Sequence, residues 1–227
     1  MRIENKLIIF IYRVILLIIG VVSIVLHSFN SEGNFDGDVF YYFTIQSNIL
    51  CLLVLLYMIV KECIFKSSFT NAMYIIKAIT TAMITVTCLI YTFVLMPVVG
   101  HLEEFAVGTF HNICLHFVIP IGYFLDYLLF DKKGLQKWFN PFLNLIYPIL
   151  YAVMVFVRSL SYTGENKYIY PFLDIDSLGI TQVGQNMVVM LFGIIILGFV
   201  FFGIDKLLGL TSRKKVEVID TSYFLHK

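Results

Sequence analysis

The residues Tyr41-Tyr42-Phe43-Thr44-Ile45-Gln46-Ser47-Asn48-Ile49-Leu50, continued as Cys51-Leu52-Leu53-Val54-Leu55-Leu56-Tyr57-Met58-Ile59-Val60, decide the fold. The stretch holds about twenty predominantly apolar residues, the helix length that crosses the hydrocarbon core of a bilayer. Yet Thr44, Gln46, Ser47 and Asn48 crowd into five residues near its start. Polar groups at the mouth of such a span must be paired within the protein or face a cavity, because the bilayer interior offers no water to satisfy them. Two readings stand side by side. In the first, Thr44 bonds back to a helix carbonyl and Asn48 joins a neighbouring helix, as small polar residues commonly do between membrane helices. In the second, these residues form one wall of a chemical site.

Composition extends the first inference to the whole chain. Of 227 residues, 59% are hydrophobic and 14% charged, with a mean hydropathy of +0.89. A soluble domain of this size cannot hide that much apolar surface, so an integral membrane protein is expected. The net charge of +1, without a basic block interleaved with aromatics, gives no sign of a nucleic-acid surface. Cys51, Cys63, Cys88 and Cys114 lack Cys-x-x-Cys spacing, and three of them fall within apolar runs. A disulfide framework or zinc site is not expected, nor is any other metal or cofactor.

Outward from the opening stretch, apolar runs predict six spans at about 7–26, 39–60, 72–99, 110–130, 138–157 and 187–207. They make one all-α domain over residues 1–227. The first run follows Arg2 and Lys6 as in a signal peptide, but its length and the lack of a small-x-small site predict an uncleaved span. Lysine and arginine gather at the amino terminus (Arg2, Lys6), the second loop (Lys61, Lys66), the fourth (Lys132, Lys133, Lys137) and the carboxyl end (Lys206, Arg213, Lys214, Lys215, Lys227). The first and third loops have none, the fifth has Arg158 and Lys167, and acidic residues such as Asp36, Asp38, Glu103, Glu104 and Glu165 collect on that side. By the positive-inside rule this alternation predicts both termini in the cytoplasm, for a multi-pass protein of the cell membrane. The chain lacks the paired broken helices in two repeated halves that point to a secondary transporter.

This topology puts two reactive side chains at one depth. Thr44 is expected about 7–8 Å down the second span and His116 about 9 Å down the fourth, both from the outer face. Asn48 and Asn112 lie four residues from each and face the same way. Histidine is the usual base that activates a hydroxyl near neutral pH, so Thr44 as nucleophile and His116 as base are candidates, with Asn48, Ser47, Asn112 and Gln46 as pocket or orienting residues. The structural alternative has His116 donating to a carbonyl in a packed core. A second cluster, Arg13, Lys77 and Asp126, falls near the inner ends of its spans. Isolated charges there are costly, so Asp126 is expected to pair with Lys77 or Arg13, with an ion or proton pathway as the alternative. In the fifth loop, Tyr170, Pro171, Phe172 and Asp174 suit an interfacial lid on the Thr44 side.

Phe43-Thr44-Ile45-Gln46-Ser47-Asn48, Leu115-His116 with Pro120 and Asp126, Tyr147-Pro148-x-x-Tyr151, and Tyr170-Pro171-Phe172-Leu173-Asp174 with Gly179 resemble the bacterial six-span Pr-six-Pr membrane proteins. The resemblance covers spans two to six. That family is distantly similar to the eukaryotic androgen-induced and androgen-dependent TFPI-regulating proteins, intramembrane threonine hydrolases that cleave fatty acid esters of hydroxy fatty acids. The resemblance implies Thr44 as nucleophile and His116 as base, acting on a membrane lipid or amphiphilic ester. The eukaryotic pattern carries Asn three residues after the Thr; here Ser47 holds that place and Asn48 follows it. A small-solute or lipid transporter and a non-catalytic lipid-binding protein are the alternatives to hydrolysis.

Overall fold

The computed structural model describes residues 2–30, 32–63, 65–99, 108–164 and 167–225. Glu103, Glu104, Glu165 and Lys227, used above to orient the chain, lie outside the described residues. Among the described residues every regular element is helical, with one isolated bridge between Phe29 and Phe35. Six runs are long and apolar enough to cross a membrane: α1 (Lys6–His27), α2 (Phe43–Glu62), α3 (Asn71–Leu95), α4 (Phe110–Phe130), α5 (Asn140–Ser159) and α6 (Ile175–Leu210). The last helical run continues to Leu225.

Side-chain caps set two of the starts. Asn5 accepts the Leu7 and Ile8 amides ahead of α1, and Thr70 accepts the Met73 amide ahead of α3. Each satisfies amides that have no partner within the first helical turn. The α3 helix is the hub, packing on α2, α4 and α6, while α1 closes against α2 and α4. Its buried face carries Ala78, Ala82, Met83, Ile84 and Val86, but also Lys77, Thr81 and Thr87. The α6 helix has the least buried surface of the six and exposes Val188, Val189, Phe192 and Ile196.

Several boundaries differ from the sequence reading. Residues Gly37–Tyr41 form a 3-10 turn capped by Asp36, and Tyr42 is extended (φ −71°, ψ 134°), so α2 starts at Phe43 rather than 39. Thr44 therefore sits in the opening turn of its helix, not a turn and a half down it. The fifth run is broken between Asn140–Leu143 and Ile146–Ser159. Pro148 removes the amide that would close an α-helical bond on the Asn144 carbonyl. The last run begins at Ile175 rather than 187, because Asp174 accepts both the amide and the hydroxyl of Ser177. Gly179, at φ 76° and ψ 155°, then bends it, a conformation a side chain at that position resists. The fifth loop is shortened accordingly.

Candidate active site

Thr44 Oγ1 and His116 Nε2 lie 3.2 Å apart, and both residues are buried. His116 Nδ1 is 3.0 Å from the Asn112 carbonyl, one turn back along α4. A carbonyl only accepts, so Nδ1 carries the proton and Nε2 presents its lone pair to the Thr44 hydroxyl. The tautomer required of a base is thus fixed by the backbone. The Tyr91 ring stacks on the imidazole with centroids 3.7 Å apart and planes 19° apart.

Local helix geometry explains why these rings meet. Cys114–Val118 and Tyr91–Leu95 are π turns, with His116 inside the first and Tyr91 opening the second. Each is followed by one residue and a proline, Ile119-Pro120 and Met96-Pro97. In the first, the Ile119 amide donates to the Cys114 carbonyl instead of to Leu115. The next residue, Pro120, has no amide to offer. The Leu115 carbonyl is left for the Asn48 side chain, whose Nδ2 donates to it at 3.1 Å and to the Thr44 carbonyl at 2.8 Å. Single π turns of this kind recur at functional sites because they redirect side chains out of helical register.

Asn48 thus ties α2 to α4 through two carbonyls, which uses both of its amide hydrogens. It positions the pair but has none left for an oxyanion. Ser47 Oγ donates to the Thr44 carbonyl at 3.0 Å and lies 2.8 Å from Thr87 Oγ1, joining α2 to α3. Gln46 donates to the Phe40 carbonyl and accepts from the Tyr147 hydroxyl at 2.7 Å. Asn112 contributes its backbone carbonyl to His116. Of the expected pocket residues, then, Thr44 faces open space and the others pack behind it.

That space is a cleft between α3, α5 and α6, lined by Thr44 and Tyr91 and by apolar residues such as Val86, Ile90, Met187, Met190 and Leu191. Its lining is predominantly apolar with a few hydroxyls, the character of a site for a ligand with an apolar chain. Tyr170 and Phe172, expected as lid residues, also line it, with their rings stacked at 5.1 Å. Tyr170 is buried rather than interfacial; Pro171 is exposed, and Asp174 serves as the α6 cap. The Tyr170 hydroxyl contacts the Thr44 side chain and the amides of Phe43 and Thr44. Burial pushes its pKa up to about 12, against the opposing pull of those contacts. Arg158 anchors the start of this loop, with its guanidinium 3.6 Å above the Tyr162 ring and 3.7 Å from Asp38.

The charge cluster occupies the other end of the bundle. Asp126 meets Arg13 Nε at 2.8 Å through one oxygen and Lys77 Nζ at 2.7 Å through the other, so it pairs with both candidates at once. Arg13 also reaches Asp131 at 3.2 Å and Glu62 at 3.4 Å. The Lys77 ammonium sits 3.2 Å above the Tyr123 ring. Asp131, which the sequence puts in a loop, is buried with this group. Burial and the neighbouring Asp126 push its carboxyl up to about 6, outweighing Lys77, Arg13 and Lys133. Lys133 in turn donates to the Tyr127 carbonyl.

No protein-family model, curated protein or solved structure matches the chain. Fold and geometry together describe a bundle of six apolar helices with a Thr–His pair opening on an apolar cleft. Among the described residues, no group of three or more His, Cys, Asp or Glu side chains is arranged to hold a metal ion.

Proposed function

We propose that the protein is an intramembrane ester hydrolase that uses Thr44 as nucleophile and His116 as base. The observation that carries this reading is the 3.2 Å contact between Thr44 Oγ1 and a His116 nitrogen whose partner nitrogen is held by a carbonyl, at the wall of an apolar cleft. The His116 imidazole takes the hydroxyl proton as Thr44 Oγ1 bonds to the ester carbonyl carbon. Collapse of the tetrahedral intermediate breaks the bond to the alcohol oxygen, which receives the proton from His116. Water, deprotonated by the same nitrogen, then releases the acid and restores the threonine. The stacked Tyr91 face favours the imidazolium formed midway, in place of a carboxylate partner.

The substrate class we infer is an amphiphilic acyl ester, its chain in the cleft between α3, α5 and α6. Fatty acid esters of hydroxy fatty acids fit this description, and the family resemblance supports them. The lysine and arginine distribution supports both termini in the cytoplasm, which puts Thr44 near the extracytoplasmic face. The test is turnover of a panel of long-chain esters by the purified protein in detergent or nanodiscs. Hydrolysis by wild type that disappears in Thr44→Ala and in His116→Ala supports the reading; hydrolysis retained in both overturns it.

A further inference from the structure

An ester hydrolase also needs donors for the oxygen that becomes negative, and removing one such donor commonly costs about 10²–10³ in rate. Asn48 has no hydrogen left for this purpose, since both bond backbone carbonyls. Two tyrosines hold the corresponding position. Tyr151, on α5, lines the cleft with 6% of its surface exposed, and its hydroxyl lies beside the Phe43 amide and the Tyr170 hydroxyl. Its ring lies 5.2 Å from Phe43 and 6.2 Å from the ring of Tyr170. Tyr170 in turn touches Thr44 and the first amides of α2. These amides begin a long helix and have no partner within it, so the local field there favours negative charge.

We propose that the hydroxyls of Tyr151 and Tyr170 form the donor pair that holds the ester carbonyl and then its oxyanion. This deepens the hydrolase reading and rests on it. As Thr44 Oγ1 attacks, the carbonyl π electrons move onto oxygen, and both phenols donate to that oxygen without losing their protons. In the free protein Tyr170 rests on Thr44 and the α2 amides, at the point the carbonyl approaches. The incoming oxygen takes over the Tyr170 hydrogen bond, and the Tyr151 hydroxyl, adjacent to that of Tyr170, turns to the same oxygen. Both tyrosines are therefore catalytic residues in the strict sense of touching the reacting atoms.

The experiment is steady-state hydrolysis of a long-chain ester by wild type, Tyr151→Phe, Tyr170→Phe and the double variant, with the melting temperature of each. Both single variants keep the ring and should lower kcat by about 10²–10³ while KM moves less than about threefold. Tyr151→Phe should melt close to the wild-type temperature, because the Tyr170 hydroxyl still serves the Phe43 amide in the free protein. A purely structural role gives the opposite pattern, with melting temperature falling and kcat retained. Folded single variants with wild-type kcat overturn the donor pair and leave the hydrolase reading intact. A folded wild-type protein without turnover overturns both.

Discussion

Two of the polar regions buried among the described residues are built on opposite plans. Around Asp126 the charges answer one another: both carboxylate oxygens are engaged, and Arg13 reaches three carboxylates on two other elements and a loop. Around Thr44 the groups behind the site are tied down just as firmly, by Asn48, Ser47 and the Asn112 carbonyl, but the side facing the cleft carries hydroxyls. One region is closed on itself and holds α1, α3 and α4 together. The other spends its hydrogen bonds on holding a hydroxyl against an imidazole beside empty apolar space. Polar residues in such a bundle are therefore better sorted by what their unengaged atoms face than by how deeply they lie.

The largest effects should separate the two regions cleanly. Thr44→Ala should lower kcat by at least about 10⁴-fold, as loss of a nucleophile does elsewhere, with little change in melting temperature. Asp126→Ala should do the reverse. It strands Lys77 and Arg13 in the interior, and breaking a buried pair costs about 3–5 kcal/mol. Thermal unfolding in detergent, read beside specific activity of the folded fraction, checks both. A similar loss of stability in the two variants would erase the distinction.

A smaller effect tests the link between helix geometry and site. Pro120→Ala returns an amide to α4 and removes the reason for the π turn over Cys114–Val118. We expect a melting temperature at or above wild type and turnover at least about tenfold lower, as His116 loses register with Thr44 and small misplacements are costly in catalysis. Unchanged turnover would mean that the π turn has another cause.

The smallest effect concerns Asp131. Its carboxyl is raised from 3.8 to about 6, so the folded state favours the protonated form. That contribution is complete below the ordinary carboxylate range and is lost as pH rises through 6. Stability should decline between about pH 4 and pH 7 by an amount that Asp131→Asn removes. Asp126→Asn should be the more destabilising of the two Asn variants near neutral pH. A wild-type profile with the opposite slope, unchanged in Asp131→Asn, would show that the Arg13 contact dominates instead.

The six runs were legible because span length and loop charge act through composition, which needs no tertiary information. Thr44 and His116 stood out because a polar residue in an apolar run demands an explanation. Asp131 did not, since a charge just past a span reads as solvated until Arg13 is seen folding over it. The two π turns have a trace in the sequence, a proline two residues beyond each, but the same proline also marks an ordinary bend. Tyr151 and Tyr170 are two of 14 tyrosines, and aromatic residues near span ends are expected at any interface. The sequence marked Tyr170 as a lid residue and Tyr151 as part of a motif, but only the packing brings their hydroxyls together beside Thr44. The early start of α6 was signalled by Asp174 three residues ahead of Ser177, a capping pattern that Pro171 and Gly179 obscured.

An activated Thr44 nucleophile should react with an electrophile shaped like its substrate. The most direct measurement is covalent labelling with a long-chain alkyl fluorophosphonate, followed by peptide mass spectrometry of the adduct site. We expect one adduct on Thr44 in wild type, lost in Thr44→Ala and strongly slowed in His116→Ala. Labelling that stays intact in folded Thr44→Ala, or an adduct mapped to another residue, would contradict it.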